Sequence, residues 1–249
     1  MDGKVRRNAA CPAENQGMNR ERWLQRAQRV SDAFGLVLLL VLTTYVLASV
    51  LSNRGWSAVL LTLSTGGASI VALTSSHVRA SVVRRALWIA ALATVLAVAS
   101  AAFGGRLWLN AASFLEIGLL AVAMAAVLRR VITSSEVSFR TILGAVSVYT
   151  ALGILFTWAY GLIDRIEGGG FFGAVEAGGS DFLFFSYTTL TTTGYGNLVP
   201  AGQVGRMVAG LEMMTGQIFL VTLVAGLVSL WRPGAGLMRR RSERSGEQA

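Results

Sequence analysis

Hydrophobic residues along this chain come in long blocks with almost no charge, separated by short polar segments. A helix needs about 20 such residues to cross the hydrocarbon core of a bilayer. Six blocks reach or approach that length, and each predicts one membrane-spanning helix. Their approximate ranges are 34–52, 57–75, 86–103, 107–128, 141–163 and 203–231. The pattern therefore predicts an all-α membrane protein with six transmembrane helices.

The second block is the weakest, because small and polar residues interrupt it at 64–69. Small residues on a membrane helix let a neighbouring helix approach closely, so we expect this stretch at a helix–helix contact. The third and fourth blocks are separated only by Gly104, Gly105 and Arg106, and this spacing predicts a tight turn between two helices.

Basic residues alternate between the segments that connect the blocks. If the N-terminus is cytoplasmic, 18 of the 22 Lys and Arg residues lie on cytoplasmic segments and 4 on external ones. This distribution follows the positive-inside rule, so both termini are expected in the cytoplasm. The net charge of +9 is then explained by basic membrane loops, and no nucleic-acid partner is predicted. Short tails and alanine-rich spans favour the bacterial inner (plasma) membrane.

The chain has little material for metal or nucleophilic chemistry. It contains one cysteine, Cys11, and one histidine, His77. One cysteine allows no disulfide within the chain and no thiolate metal site. No cofactor is expected, and the composition argues against a membrane enzyme.

The segment between the last two blocks has a different pattern. Glycine runs at 168–170 and 178–179 precede Ser180 and Asp181, which are typical of a helix start. The apolar stretch from about 182 to 192 is some 11 residues long, and a helix of that length does not span a membrane. We therefore predict a re-entrant helix that enters from outside and stops at mid-membrane.

The stretch that follows, 188–200, reads TTLTTTGYGNLVP. Non-helical backbone at membrane depth occurs only where protein buries it or where it lines a water-filled path. Gly194 and Gly196 adopt positive φ angles at little cost. Glycines at alternate positions allow successive carbonyl groups to face one axis, so several chains around that axis would form rings of oxygen atoms.

The run Thr192-Thr193-Gly194-Tyr195-Gly196 resembles the potassium-channel signature T-V-G-Y-G. The resemblance covers 141–231 and implies an outer helix, a pore helix, a selectivity filter and an inner helix. It also implies a homotetramer in the lipid membrane, because one chain carries one filter. The carbonyl groups of the first four residues would bind K⁺, together with the Thr192 hydroxyl, and Gly196 would complete the outer mouth.

The resemblance assigns roles to positions around the filter as well. Phe184 and Phe185 lie where the family has an aromatic cuff, against which the Tyr195 ring would rest. Gly216 lies where the inner helix of the family often has a hinge glycine. A plain packing contact is the alternative role for Gly216.

Two residues depart from the family pattern. Thr193 stands where the family has valine or isoleucine. Its carbonyl is unchanged, so conduction is expected to survive, but its hydroxyl needs a partner behind the filter. Asn197 replaces the usual aspartate, which removes four negative charges from the outer mouth of a tetramer. A less rigid filter is therefore predicted.

Two acidic residues, Glu116 and Glu212, lie within predicted spans. Ionisable residues at such positions are functional candidates by default. We expect Glu212 to support the filter through a hydrogen bond to the run that starts at Thr188, with a helix-packing role as the alternative. Glu116 is either a proton-sensitive switch or a carboxyl group with satisfied hydrogen bonds.

The predicted spans and the resemblance together divide the chain into four parts. They are a basic cytoplasmic N-terminal segment (1–32), a four-helix membrane domain (33–130), the pore domain (141–231) and a short cytoplasmic tail (232–249). A voltage sensor needs arginine at every third residue inside the membrane, and the fourth span has none. The basic stretch 20–31 predicts a helix that lies either on the anionic inner leaflet or in solvent.

The function favoured by these observations is passive, potassium-selective conduction. A weakly selective cation channel is one alternative, because Thr193 and Asn197 depart from the family pattern. A non-conducting membrane sensor or scaffold is the other.

Overall fold

The computed structural model describes residues 34–51, 55–133 and 139–230, and these residues are helical apart from turns, loops and one isolated β-bridge. The predicted N-terminal segment, its basic helix at 20–31 and the predicted tail at 232–249 lie outside the described residues. The helices are α1 (Phe34–Val50), α2 (Trp56–Ser75), α3 (Ala80–Phe103), α4 (Arg106–Ile132), α5 (Phe139–Ile166), α6 (Gly179–Leu190) and α7 (Gln203–Leu230).

Five helices, namely α2, α3, α4, α5 and α7, are long and apolar enough to cross a membrane. The prediction of an all-α, multi-pass membrane protein is confirmed in this form. The helix α1 is apolar but shorter in the described part of the chain, so its span stays a prediction.

Three helices, α3, α4 and α5, extend beyond the apolar blocks that predicted them. The helix α3 begins at Ala80 and not near residue 86, and α4 continues to Ile132 with Arg129 and Arg130 in its last turn. Hydropathy marks the part of a helix that suits the bilayer, whereas the helix itself ends where a residue breaks it. Between α3 and α4 that break is the predicted turn, in which Gly104 has φ 71° and Gly105 has φ 104°.

The core of the N-terminal half lies where α4 packs between α2, α3 and α5. Buried side chains from five helices meet there, including Val37 of α1, Leu73 of α2, Leu120 of α4 and Ile154 of α5. The interrupted stretch of α2 is a continuous helix at this contact. A Cβ atom placed on Gly66 would lie 3.4 Å from both Ala90 Cβ and Glu116 Oε1, which confirms the expected close approach.

Side-chain hydrogen bonds join α5 to the N-terminal part of α4, near the turn at Gly104 and Gly105. Arg165 Nε donates to Asn110 Oδ1 at 2.9 Å, and Nη2 donates to the buried Ser113 Oγ at 2.6 Å. The predicted fifth span ends at residue 163, which leaves Arg165 outside it. This arginine belongs instead to the last turn of α5 and fixes that end of the helix against α4.

The connection from α5 to α6 folds back onto the start of α7. Gly168, Gly169 and Gly170 all have positive φ, and they lead to Phe171, whose carbonyl accepts a hydrogen bond from Ala201 N at 2.8 Å. Phe171 is buried in an aromatic cluster with Phe172, Phe182, Phe185 and Tyr160. This cluster holds the start of α6 against α5 and so positions the segment that follows α6.

Candidate functional site

The helix α6 is a short helix of 12 residues, about 18 Å long at 1.5 Å per residue. It begins at Gly179, about one turn before the predicted start at residue 182, and Asp181 lies inside its first turn. Its Oδ2 atom accepts a hydrogen bond from Gly178 N at 2.8 Å, which satisfies one of the unpaired donors at a helix start. The helix ends at Leu190, so residues 191–197 continue as non-helical backbone.

The backbone after α6 alternates in handedness. Thr192, Gly194 and Gly196 have φ angles of 57°, 54° and 77°, whereas Thr193 and Tyr195 are not in the positive-φ region. A β-branched residue such as Thr192 rarely adopts positive φ. Hydrogen bonds hold the segment in place, because the Thr188 carbonyl accepts from Thr193 N at 2.8 Å and from Gly194 N at 3.1 Å.

The hydroxyl of Thr193 has the partner that sequence analysis required. Its Oγ1 lies 2.8 Å from Thr191 Oγ1, and Thr191 Oγ1 donates to the Tyr187 carbonyl at 2.7 Å. Since a hydroxyl group carries one hydrogen, Thr193 is the donor in the Thr193–Thr191 pair. The alternating segment is thus connected to the last turn of α6 through side chains as well as backbone.

The two phenylalanines of the expected aromatic cuff lie on different sides of α6. Phe184 stacks on the Tyr195 ring with 5.7 Å between centroids and an interplanar angle of 18°. Phe185 is buried in the aromatic cluster and contacts Tyr160 at 5.0 Å between centroids. Only Phe184 therefore braces the tyrosine within one chain, because adjacent residues on a helix point about 100° apart.

Asn197 follows the alternating segment and is exposed. Its side chain makes no hydrogen bond to any other residue that the structure describes. Residues 191–196 are exposed as well. The single chain therefore presents this whole segment on its surface.

Glu212 of α7 is fully buried and joins three helices. Its Oε2 accepts a hydrogen bond from the Tyr160 hydroxyl of α5 at 2.5 Å, and its Oε1 accepts one from the Ser186 hydroxyl of α6 at 2.6 Å. The Ser186 hydroxyl also lies 2.8 Å from the Gly153 carbonyl. The partner of Glu212 in α6 is Ser186, two residues before Thr188. The expected hydrogen bond to the run from Thr188 to Thr193 is therefore not present.

Gly216, one turn after Glu212, is the point where α7 passes the end of α6. A Cβ atom on Gly216 would lie 2.6 Å from the Leu190 carbonyl oxygen and 2.7 Å from Leu190 Cδ1. Contacts this short with backbone atoms leave no room for a side chain. The structure thus supplies the packing contact that was the alternative to a hinge, and α7 is continuous through it.

Residues 149–232, which contain most of α5, all of α6, the alternating segment and α7, match a family model described as "Ion channel". This matched segment, the channel domain, covers about a third of the chain. Together with the apolar helices around it, the match supports a membrane ion channel. Comparison with curated proteins and with solved structures found no match.

The N-terminal helix α1 contacts the channel domain directly. The rings of Tyr45 and Tyr187 meet edge to face, with 4.9 Å between centroids. Tyr187 is held in this position by its hydroxyl, which donates to the Thr150 carbonyl at 2.6 Å, and by Gly153, where a Cβ atom would lie 2.7 Å from the ring. The residue pairs Tyr45–Tyr187 and Gly153–Tyr187 carried no signal in the sequence, because they are brought together only by packing.

Glu116 lies outside the channel domain and has a different environment from Glu212. It is fully buried on α4, and neither carboxyl oxygen has a hydrogen-bond partner among the described residues. The described residues therefore offer no support for the alternative of a carboxyl with satisfied hydrogen bonds. The role of Glu116 as a switch stays a prediction.

Proposed function

We propose that this protein conducts K⁺ selectively and passively across the membrane. The observation that carries the proposal is the alternating backbone at Thr192, Gly194 and Gly196, placed directly after a half-length helix in a domain of the ion channel family. The amino acids at this point are those of the potassium-channel signature, apart from Thr193.

The proposed mechanism uses backbone carbonyl groups. Where the handedness of the backbone alternates, successive carbonyl groups turn to the same side of the segment. The carbonyl oxygens of residues 192–195 would then replace the water shell of a K⁺ ion, as in the family that the motif resembles. The C-terminal end of α6 precedes the segment and contributes the partial negative charge of its unpaired carbonyl groups to the ion path.

A complete ring of oxygens requires several copies, because the chain carries one such segment. We propose a homotetramer in the plasma membrane, with both termini in the cytoplasm. The exposure of residues 191–197 on the single chain supports assembly around that segment. Cross-linking of the purified protein that ends at dimers would contradict the tetramer.

The experiment is ion flux through the purified protein in liposomes, measured for K⁺ and for Na⁺. Gly194→Ala is the test variant, since an L-residue in the left-handed conformation costs roughly 1–2 kcal/mol. Gly210→Ala on α7 is the matched control, because no atom lies within 4 Å of a Cβ atom at that position.

A strong preference for K⁺ that Gly194→Ala abolishes and Gly210→Ala retains is the expected result. Comparable flux of both ions through the unmodified protein would overturn potassium selectivity in favour of the weakly selective channel. Absence of flux for either ion would favour the non-conducting sensor or scaffold.

Asn197 supplies a second test of the same site. Because this residue is exposed and without a side-chain partner in the described chain, Asn197→Asp should add a ring of charge at the outer mouth. We expect slower loss of current and stronger block by external cations. Unchanged current decay and block would show that Asn197 does not determine the rigidity of the filter.

A further inference from the structure

A groove of about 380 Å³ lies between α3 and α4, away from the channel domain. Its walls are apolar, and they include Ala86 and Ile89 of α3 and Leu115 and Val122 of α4. Arg85 is the charged residue among those that line it. The groove is therefore a hydrocarbon-lined surface with a single cationic group.

Small residues on both helices leave space in the groove. Gly118 lines it on the α4 side, and no heavy atom lies within 4 Å of a Cβ atom placed on it. Ala86 lines it on the α3 side. The α4 residues of the groove extend over about 12 Å, at 1.5 Å per residue, which is close to the roughly 15 Å of hydrocarbon in one leaflet.

The groove lies on a helix that suits a lipid environment. The helix α3 is a candidate membrane span with 17% of its apolar window buried, so most of that window is exposed on the single chain and accessible to lipid. Trp88, three residues after Arg85, is 73% exposed. Exposed tryptophan on a membrane helix marks the level of the lipid headgroups, which places the guanidinium of Arg85 near headgroup depth.

The charges at this end of α3 favour an anionic headgroup. Arg79, Arg84 and Arg85 lie within seven residues, and the sequence contains no Asp or Glu between residues 33 and 115. Glu116 follows Leu115 on α4, but it is buried and does not line the groove. A second copy of the chain that docked through this same surface would bring the same arginines on its own α3, so it is a poorer occupant. We propose that the groove binds an acyl chain of an anionic phospholipid, with the lipid phosphate on Arg85.

The proposal is independent of ion selectivity and is tested on the purified full chain by native mass spectrometry. The probes are phosphatidylglycerol and phosphatidylcholine with identical acyl chains. Gly118→Leu fills the groove, with Gly67→Leu as control because no atom lies within 4 Å of a Cβ atom at Gly67. Arg85→Gln removes the charge, with Arg84→Gln as control, since Arg84 does not line the groove.

We expect one phosphatidylglycerol per chain to be retained in preference to phosphatidylcholine. Arg85→Gln should weaken phosphatidylglycerol binding about fivefold, since a basic residue near the membrane surface contributes about 1 kcal/mol. Arg84→Gln should have a smaller effect. Gly118→Leu should abolish retention of either lipid, whereas Gly67→Leu should leave it intact.

Two results would overturn the proposal. If both lipids were retained equally, and Arg85→Gln did not change their retention, the groove would not select an anionic headgroup. If Gly118→Leu retained the lipid but altered the number of chains in the complex, the groove would be an interface between copies of this protein.

Discussion

The hydrogen bond from Tyr160 to Glu212 is the contact whose removal tests the architecture of the channel domain most directly. Both residues are fully buried, and the Tyr160 hydroxyl is the donor to Glu212 Oε2 at 2.5 Å. Tyr160→Phe deletes this donor and keeps the aromatic ring in its cluster. The substitution thus leaves one carboxyl oxygen buried without that partner.

Leaving a buried acceptor unsatisfied costs roughly 1–3 kcal/mol. For a chain of this length, about 2 kcal/mol corresponds to a fall in Tm of roughly 4–8 °C. Tyr149→Phe is the matched control on the same helix. The Tyr149 hydroxyl donates to the Leu190 carbonyl at 3.3 Å, which is long for a hydroxyl donor, so a smaller fall is expected.

The assay is thermal unfolding of the purified protein in detergent, followed by K⁺ and Na⁺ flux in liposomes. Because Glu212 connects α5 and α7 to α6, Tyr160→Phe should also reduce the proposed preference for K⁺. Equal changes in Tm for Tyr160→Phe and Tyr149→Phe would refute the reasoning. A Tyr160→Phe variant that is less stable but keeps its ion preference would show that Glu212 does not support the filter.

A double-mutant cycle sharpens this test. Ser186→Ala removes the other donor to Glu212, at 2.6 Å. Residues that share a partner show coupling of about 0.5–3 kcal/mol, whereas independent sites add within about 0.3–0.5 kcal/mol. Additive effects of Tyr160→Phe and Ser186→Ala on the free energy of unfolding would show that Glu212 does not couple the two helices.

Three further predictions concern close contacts. Gly216→Ala should lower the free energy of unfolding by roughly 1–3 kcal/mol, because the added methyl group overpacks against the end of α6. Gly210→Ala should be neutral, and equal Tm values for the two variants would contradict the contact. Gly153→Ala should displace the Tyr187 ring, since its Cβ would lie 2.7 Å away, and an unchanged Tm together with an unchanged ratio of K⁺ to Na⁺ flux would contradict that. Tyr45→Ala should lower stability by roughly 0.5–1.5 kcal/mol beyond the lost area, and Tyr45→Phe, which keeps the ring contact, should not.

Much of the architecture was predictable, because it depends on local pattern. Five of the six hydrophobic blocks correspond to helices long enough to cross a membrane, and hydropathy over 20 residues is sufficient to identify such helices. The turn at Gly104 and the short length of α6 were predictable for the same reason. The extra turns of α3 and α4 were not, because a helix continues beyond the apolar residues until a residue breaks it.

The candidate site divides in the same way. The positive φ angles of Gly194 and Gly196 follow from the absence of a side chain, which is a property of the residues themselves. The partners of Glu212 lie 26 and 52 residues away in the sequence, and no spacing rule connects them. That Phe184 contacts Tyr195 while Phe185 does not depends on how α6 is rotated against α5.

For this protein the sequence by itself determined the class of fold, the presence of a half-length helix and the motif that follows it. These properties depend on composition and order over a few turns of chain. The tertiary structure decided which side chains meet behind that motif: Tyr160 and Ser186 on Glu212, Thr191 on Thr193, and Tyr45 on Tyr187. Most of those contacts join helices distant in the chain, and they exist only when the packing of all the helices sets the distance and rotation of each one.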